Sequence, residues 1–221
     1  MANLITLLRL PVLVGVVLLL YLGGPWLQIA TVPIVIILIF MDTLDGIVAR
    51  RRHEVGLVGS KLDIAVDRAV ELVLWVAYTD LQLISVAIPI IFIIRGTLVD
   101  AVRSFGVMMG KTPFGMMQTT WGQRLVASRI MRTTYGVAKT VAFSLLTLTL
   151  GLRGLWAGTS RMAIADTVWV LAVVASWIAT VICLVRGLPV LVEGRGLLGG
   201  LDSQGLRPPV ADTSQPTAER Q

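Results

Sequence analysis

Residues 42 to 67 read DTLDGIVARRRHEVGLVGSKLDIAVD. The acids fall at Asp42, Asp45, Asp63 and Asp67, with Gly46, Arg50 and Gly59 between them. On a helix, Asp42 and Asp45 share one face as i, i+3 neighbours, and Asp63 and Asp67 share another as i, i+4 neighbours. A short connection predicts antiparallel neighbouring helices whose four carboxylates converge at one end. Such groups repel, and burying them unpaired costs about several kcal/mol or more. Hard divalent cations resolve the conflict, and an oxygen-only donor set favours Mg²⁺ or Mn²⁺. Two such ions a few Å apart clamp the phosphates of an in-line displacement. Gly46 and Gly59 carry no side chain, so a bulky substrate can approach the backbone there. Arg50 lies one turn beyond Gly46 and can neutralise phosphate oxygens. The competing account pairs the acids with Arg50, Arg51, Arg52, Lys61 and Arg68 at a helix–loop–helix corner; four acids and two glycines in this order argue against it.

A second set of candidates is cationic. Arg95 and Arg103 lie two turns apart on one helix face, and Lys139 sits in Gly136-Val137-Ala138-Lys139-Thr140, one turn into an apolar run. A charge at the middle of a membrane helix costs about 2.5–3.5 kcal/mol, which makes each a functional candidate. A phosphorylated acceptor would explain three converging cations. Snorkelling to the interface, or pairing with Asp100, is the competing account. Glu71, one turn after Asp67, is placed to support Arg68 or Lys139. Arg124, Arg129 and Arg132 can reach an anionic head group or simply mark a basic loop. His53 reads as a solvated loop residue, and Cys183 as core or lipid-facing.

The elements that must position these groups are apolar runs. The chain has 221 residues, of which 56% are hydrophobic and 14% charged, with a mean hydropathy of +0.84. A soluble domain carries about 25% charge, so an ordinary soluble globule and a disordered chain are both excluded. One cysteine excludes a disulfide scaffold and a Cys-rich metal site. The net charge of +6 fits nucleic acid in principle. The basic residues, however, lie between apolar runs, and no aromatic-rich module exists to stack bases, so no nucleic-acid partner is expected.

Six runs are long enough to approach a bilayer core of about 30 Å: 7–22, 26–41, 61–78, 81–94 (continuing as helix through Arg103), 135–152 and 163–185. The first lacks the cleavage site of a signal peptide. Of the 19 Lys and Arg, all but Arg153 and Arg161 lie at the termini, around 50–61 and 104–134, or on helix ends beside them. The positive-inside bias therefore puts both termini and these two loops in the cytoplasm. The expected fold class is all-α: an integral membrane bundle of six transmembrane helices with cytoplasmic termini. Residues 1–190 form the membrane domain. The sequence turns Gly-, Pro- and polar-rich from Gly187 onward, and 191–221 read as a flexible tail.

The pattern Asp42-x2-Asp45-Gly46-x2-Ala49-Arg50-x8-Gly59-x3-Asp63-x3-Asp67 resembles the signature of the CDP-alcohol phosphatidyltransferases at every position. The six-helix layout of that family also fits the chain to about residue 190. The resemblance implies that Asp42, Asp45, Asp63 and Asp67 bind two Mg²⁺ or Mn²⁺ ions, with Asp67 also the general base. It implies that Asp45, Gly46, Arg50, Gly56 and Gly59 hold the CDP-lipid. Asn3-Leu4-Ile5-Thr6 looks like the family's nucleotide-contacting segment, with Asn3 and Thr6 as its contacts and Arg9 following as in many members; the usual Pro before that Asn is Ala2 here. The reaction implied passes a phosphatidyl group from CDP-diacylglycerol to an alcohol and releases CMP, in the cell membrane, with the site at the cytoplasmic face and a homodimer as the expected assembly. The spacing of Arg95 and Arg103 and the segment around Lys139 are similar to phosphatidylglycerophosphate synthases, which use glycerol 3-phosphate, although the stretch 104–135 is longer here. Inositol phosphate, serine or another head group are the alternative acceptors. A cation transporter would spread its acids near mid-membrane over several helices, and a diphosphate-using prenyltransferase would lack the Gly46 and Arg50 spacing.

Overall fold

The computed structural model describes residues 2–51, 57–108 and 129–199. Six helices occupy them: α1 (Ala2–Leu22), α2 (Pro25–Arg51), α3 (Leu57–Asp80), α4 (Ala87–Met108), α5 (Arg129–Leu155) and α6 (Met162–Gly199). No strand occurs among the described residues. Five of the six expected spans fall within one helix each, and the fourth does so only from Ala87.

The helix ends follow local chemistry. At the end of α1 the Gly23 amide donates to the Leu19 carbonyl at 3.0 Å. A Cβ on Gly23 would sit 2.3 Å from that oxygen, so only glycine fits. Pro25 then opens α2 at the first-turn position where its missing N–H costs nothing. The fourth span was expected from Leu81, but α4 begins at Ala87. Gln82 adopts a left-handed φ of 59°. The Leu83 amide reaches the Tyr78 carbonyl at 3.0 Å and the Gln82 amide reaches that of Thr79 at 2.9 Å. This two-bond C-cap closes α3 and spends Leu81 to Val86 on a turn that apolarity alone does not reveal. The Ser85 hydroxyl, accepting from the Ala87 amide at 3.3 Å, caps α4. α6 runs past residue 190 to Gly199, beyond the expected start of the tail, despite Pro189 within it. Val190 is buried against Val99 and Val102 of α4, and this packing outweighs the local helix-breaking signal.

Contacts along the helices give their directions. On α1 and α3, Arg9 meets Asp63 and Asp67, and Tyr21 meets Asp80, so the two run the same way. On α5, Lys139 meets Glu71 and Thr147 meets Tyr78, so α5 runs with them. On α6, Asp166 faces Arg153 and Arg186 faces Tyr135, so α6 opposes α5. On α4, Arg95 lies against Gly187, and Val99 and Val102 against Val190, so α4 follows α6. The helices thus alternate. The starts of α1, α3 and α5 gather at one end, the acid end, and the tight turns at 23–24, 81–86 and 156–161 gather at the other, the turn end.

Small hydroxyls are buried within the apolar core, and large aliphatics face outward. Thr31, Thr147, Thr149, Ser176 and Thr180 are buried, each hydroxyl bonded to the carbonyl four residues back. Leu18, Ile37, Val76, Ile94, Leu171 and Ile178 are exposed. Large outward-facing aliphatics are consistent with a lipid-facing exterior. Ile130–Leu155 and Met162–Val192 are long and apolar enough to cross a membrane, and Thr6–Leu22 and Pro25–Met41 are shorter apolar helices. Trp75 anchors the core between Phe143, at 4.4 Å, and Phe92, at 5.1 Å between ring centroids. At the turn end α2 and α5 touch backbone to backbone: a Cβ on Gly151 would lie 2.9 Å from the Pro25 carbonyl oxygen and 2.6 Å from the Ile29 side chain.

Candidate active site

At the acid end, α3 carries Asp63, Asp67 and Glu71 at successive i, i+4 positions, so all three lie on one face. The first two meet Arg9 of α1. Its Nη1 is 3.8 Å from Asp63 Oδ1 and its Nη2 is 3.5 Å from Asp67 Oδ1. The burial is unequal: the Arg9 side chain is 1% exposed, against 37% for Asp63 and 40% for Asp67. The cation therefore reaches the acids from inside the bundle. Thr6 is buried one turn before Arg9, and Gly59 is half-buried one turn before Asp63.

The backbone of Asp42, Asp45, Gly46 and Arg50 lies on the last turns of α2. Their side chains, with those of Asn3 and Arg103 and the whole of Gly56, lie outside the described residues. Among the described residues α1 packs against both α2 and α3. Among the described residues no three His, Cys, Asp or Glu side chains converge as a metal site. The described donors are two part-exposed carboxylates one turn apart. As hard oxygen ligands they fit Mg²⁺ or Mn²⁺, and further donors must come from outside the described set.

One turn deeper, Glu71 is buried at 3% exposure. Its Oε1 lies 3.2 Å from Lys139 Nζ and accepts a hydrogen bond from the Tyr135 hydroxyl. Its Oε2 lies 3.8 Å from Arg68 Nη1, and Arg68 Nη2 lies 3.7 Å from Asp100 Oδ1. Lys139 stands 4.7 Å from the centroid of the Tyr135 ring, and the Arg186 guanidinium 5.1 Å from the same ring. Arg95 crosses α6 at Gly187, where a Cβ would come 2.7 Å from its Nε. Among the described residues the Nε atoms of Arg95 and Arg186 have no hydrogen-bond partner.

Arg95 lies against Gly187 of α6 and Lys139 is buried beside Glu71, and Glu71 contacts both Arg68 and Lys139, the two cations it was expected to support. Asp100 pairs with Arg68. Arg186 and Tyr135 were missed. An arginine immediately after the sixth apolar run, and a tyrosine four residues before Lys139, were the available signals.

The turn end is different. Arg153 Nη2 donates to Asp166 Oδ1 at 2.9 Å, and its guanidinium lies 4.5 Å from the centroid of the Trp169 ring. The Trp169 indole N–H donates to the Leu83 carbonyl at 2.8 Å, and the Tyr21 hydroxyl to Asp80 at 2.7 Å. Two of these short contacts tie helix to helix and the third ties a helix to the 81–86 turn, and among the described residues they leave no cluster of acids.

No curated protein matches the chain. The model of the CDP-alcohol phosphatidyltransferase family matches residues 1–185, which takes in Arg9, the whole acid-rich stretch and all but the last turns of α6. By that match the chain belongs to the CDP-alcohol phosphatidyltransferase family, whose members pass a phosphatidyl group from a CDP-alcohol to an acceptor.

Proposed function

We propose that this protein transfers the phosphatidyl group of CDP-diacylglycerol to glycerol 3-phosphate and releases CMP at the cytoplasmic face of the cell membrane. The observation that carries this reading is the layering of α3. Part-exposed acids stand at its start, and one turn deeper a carboxylate, Glu71, lies among Lys139, Arg68 and the Tyr135 hydroxyl. A serine acceptor needs no such concentration of cations near the acids, whereas a phosphorylated alcohol does. Arg95, Arg103 and Lys139 would hold that phosphate, and Arg186 stands beside Tyr135 to join them.

Asp42, Asp45, Asp63 and Asp67 would hold two Mg²⁺ or Mn²⁺ ions, which when bound supply charge neutralisation at the phosphoryl oxygens. Asn3, Thr6, Gly46, Arg50, Gly56 and Gly59 would hold the cytidine diphosphate. Asp67 takes the proton from the acceptor hydroxyl as that oxygen bonds to the phosphatidyl phosphorus. The bond from this phosphorus to the CMP oxygen breaks, and CMP leaves with the electron pair. Arg50 offsets charge on the diphosphate. The apolar outer face keeps the acyl chains in lipid while the polar reactants arrive from water.

Purified protein in detergent, given CDP-diacylglycerol, Mg²⁺ or Mn²⁺ and a panel of acceptors, is expected to release CMP fastest with glycerol 3-phosphate. Faster release with inositol phosphate would reassign the acceptor, and no CMP with any acceptor would remove the proposal.

A further inference from the structure

Where α4 crosses α6, the buried Gly187 faces three consecutive atoms of the Arg95 side chain. A Cβ built on it would stand 2.9 Å from Cγ, 3.3 Å from Cδ and 2.7 Å from Nε. The arginine stem therefore lies lengthwise in a groove that one missing methyl opens. Alanine there would have to push the whole stem aside, because turning its tip would not clear the clash. The groove sits in a fixed seam: Arg95, Val99 and Val102 share a face of α4, and the two valines pack against Val190, one turn beyond Gly187. Glycine within a helix is unfavourable relative to alanine, since it gives up more backbone freedom on folding. At Gly151 the space so left admits a neighbouring helix, and at Gly187 it admits a cationic stem. Arg68 makes a related approach to Gly96, but only with its guanidinium end, and that end already meets Glu71 and Asp100. The charge of Arg95 instead reaches Tyr135 and Arg186, beside Lys139.

We infer that Gly187 is a positioning residue for the acceptor: its bare backbone lets the Arg95 stem lie flat across α6 and aims the guanidinium at the cations grouped around Tyr135. This rests on the reading of Arg95 as a holder of the acceptor phosphate. Gly187 acts through Arg95 and lies beyond the residues 1–185 that match the family. A guanidinium is a planar fork that grips phosphate in one orientation, whereas an ammonium tolerates many. Displacing its stem by about 1 Å therefore weakens the grip without removing the charge.

The test is a double-mutant cycle on the full-length protein in detergent, reading KM for glycerol 3-phosphate, KM for CDP-diacylglycerol and thermal unfolding for each variant. Arg95→Ala should raise the glycerol 3-phosphate KM by roughly tenfold. Gly187→Ala should raise it by roughly fivefold and leave the CDP-diacylglycerol KM within about twofold of wild type. In the Arg95→Ala background, Gly187→Ala should change neither KM nor the unfolding midpoint, because the methyl then occupies space the stem has vacated. If Gly187→Ala alone cannot be purified, the double variant carries the test and should fold and behave as Arg95→Ala does. A glycine needed only for helix packing would lower stability, or raise both KM values alike, in either background; that result overturns the inference. So does a wild-type glycerol 3-phosphate KM in Gly187→Ala, or a double variant that fails to fold. An unchanged glycerol 3-phosphate KM in Arg95→Ala would instead remove the reading of Arg95 on which the inference stands.

Discussion

The two ends of the bundle use the same residue types to opposite effect. At the turn end the polar contacts are short and single: Tyr21 to Asp80 at 2.7 Å and Arg153 to Asp166 at 2.9 Å, with Tyr21, Asp80 and the Asp166 side chain open to the surroundings. At the acid end the ion pairs between 3.2 and 3.8 Å are shared, and the groups that share them (Arg9, Glu71, Lys139) are buried. Exposed pairs can close to contact because water solvates what the partner does not. Buried groups that each serve several partners are held at a compromise distance. The first arrangement fastens turns. The second gathers buried charge among several partners inside an apolar bundle.

The contrast can be broken from either side. The largest effect is expected from Asp67→Asn, which should cut kcat for CMP release by about 10³-fold or more while CDP-lipid binding persists, as loss of a general base and ligand together demands. Normal turnover would refute its role. Glu71→Gln should follow, lowering unfolding stability in detergent by about 3–5 kcal/mol, because it leaves the buried Lys139 and the half-buried Arg68 facing a neutral group. A loss below about 1 kcal/mol would place Glu71 with the surface pairs of the turn end. Lys139→Ala and Arg103→Ala should each raise the acceptor KM by roughly tenfold with the CDP-lipid KM nearly constant, the scale of one lost charge-assisted hydrogen bond. Unchanged KM in both would discard a phosphorylated acceptor. The smallest effect belongs to Asp166→Asn, expected to cost about 1 kcal/mol or less and to leave turnover within about twofold of wild type. A large loss of activity there would erase the distinction between the ends.

How much of this the sequence discloses depends on the range of the forces involved. Six apolar runs and the carboxylate spacing on α3 are local patterns, and five of the runs lie wholly in one helix. The pair Arg9–Asp67 joins residues far apart in sequence, so only packing reveals it. Glu71 was legible as support for Lys139 because it shares a face with Asp67, whereas Arg186 and Tyr135 became neighbours through the docking of α6 on α5. The turn at 81–86 hid behind apolar residues, since its backbone bonds rather than its side chains define it. The helix beyond residue 190 hid behind Gly and Pro, since burial of Val190 overrides their propensity.

The bare contact of Gly151 with Pro25 has a mechanical corollary. Gly151 lets the α5 backbone approach the Pro25 carbonyl and the Ile29 side chain closely, so α2 is held at its first turn like a rod in a socket. Asp45 stands 20 residues along that rod, about 30 Å from the anchor at 1.5 Å per residue. A swing of only about 5° about the socket would carry it about 2.6 Å, a distance comparable to a metal–oxygen bond. Small cushions of alanine or serine at Gly151 would loosen the fulcrum, and the blur would be felt at the opposite tip.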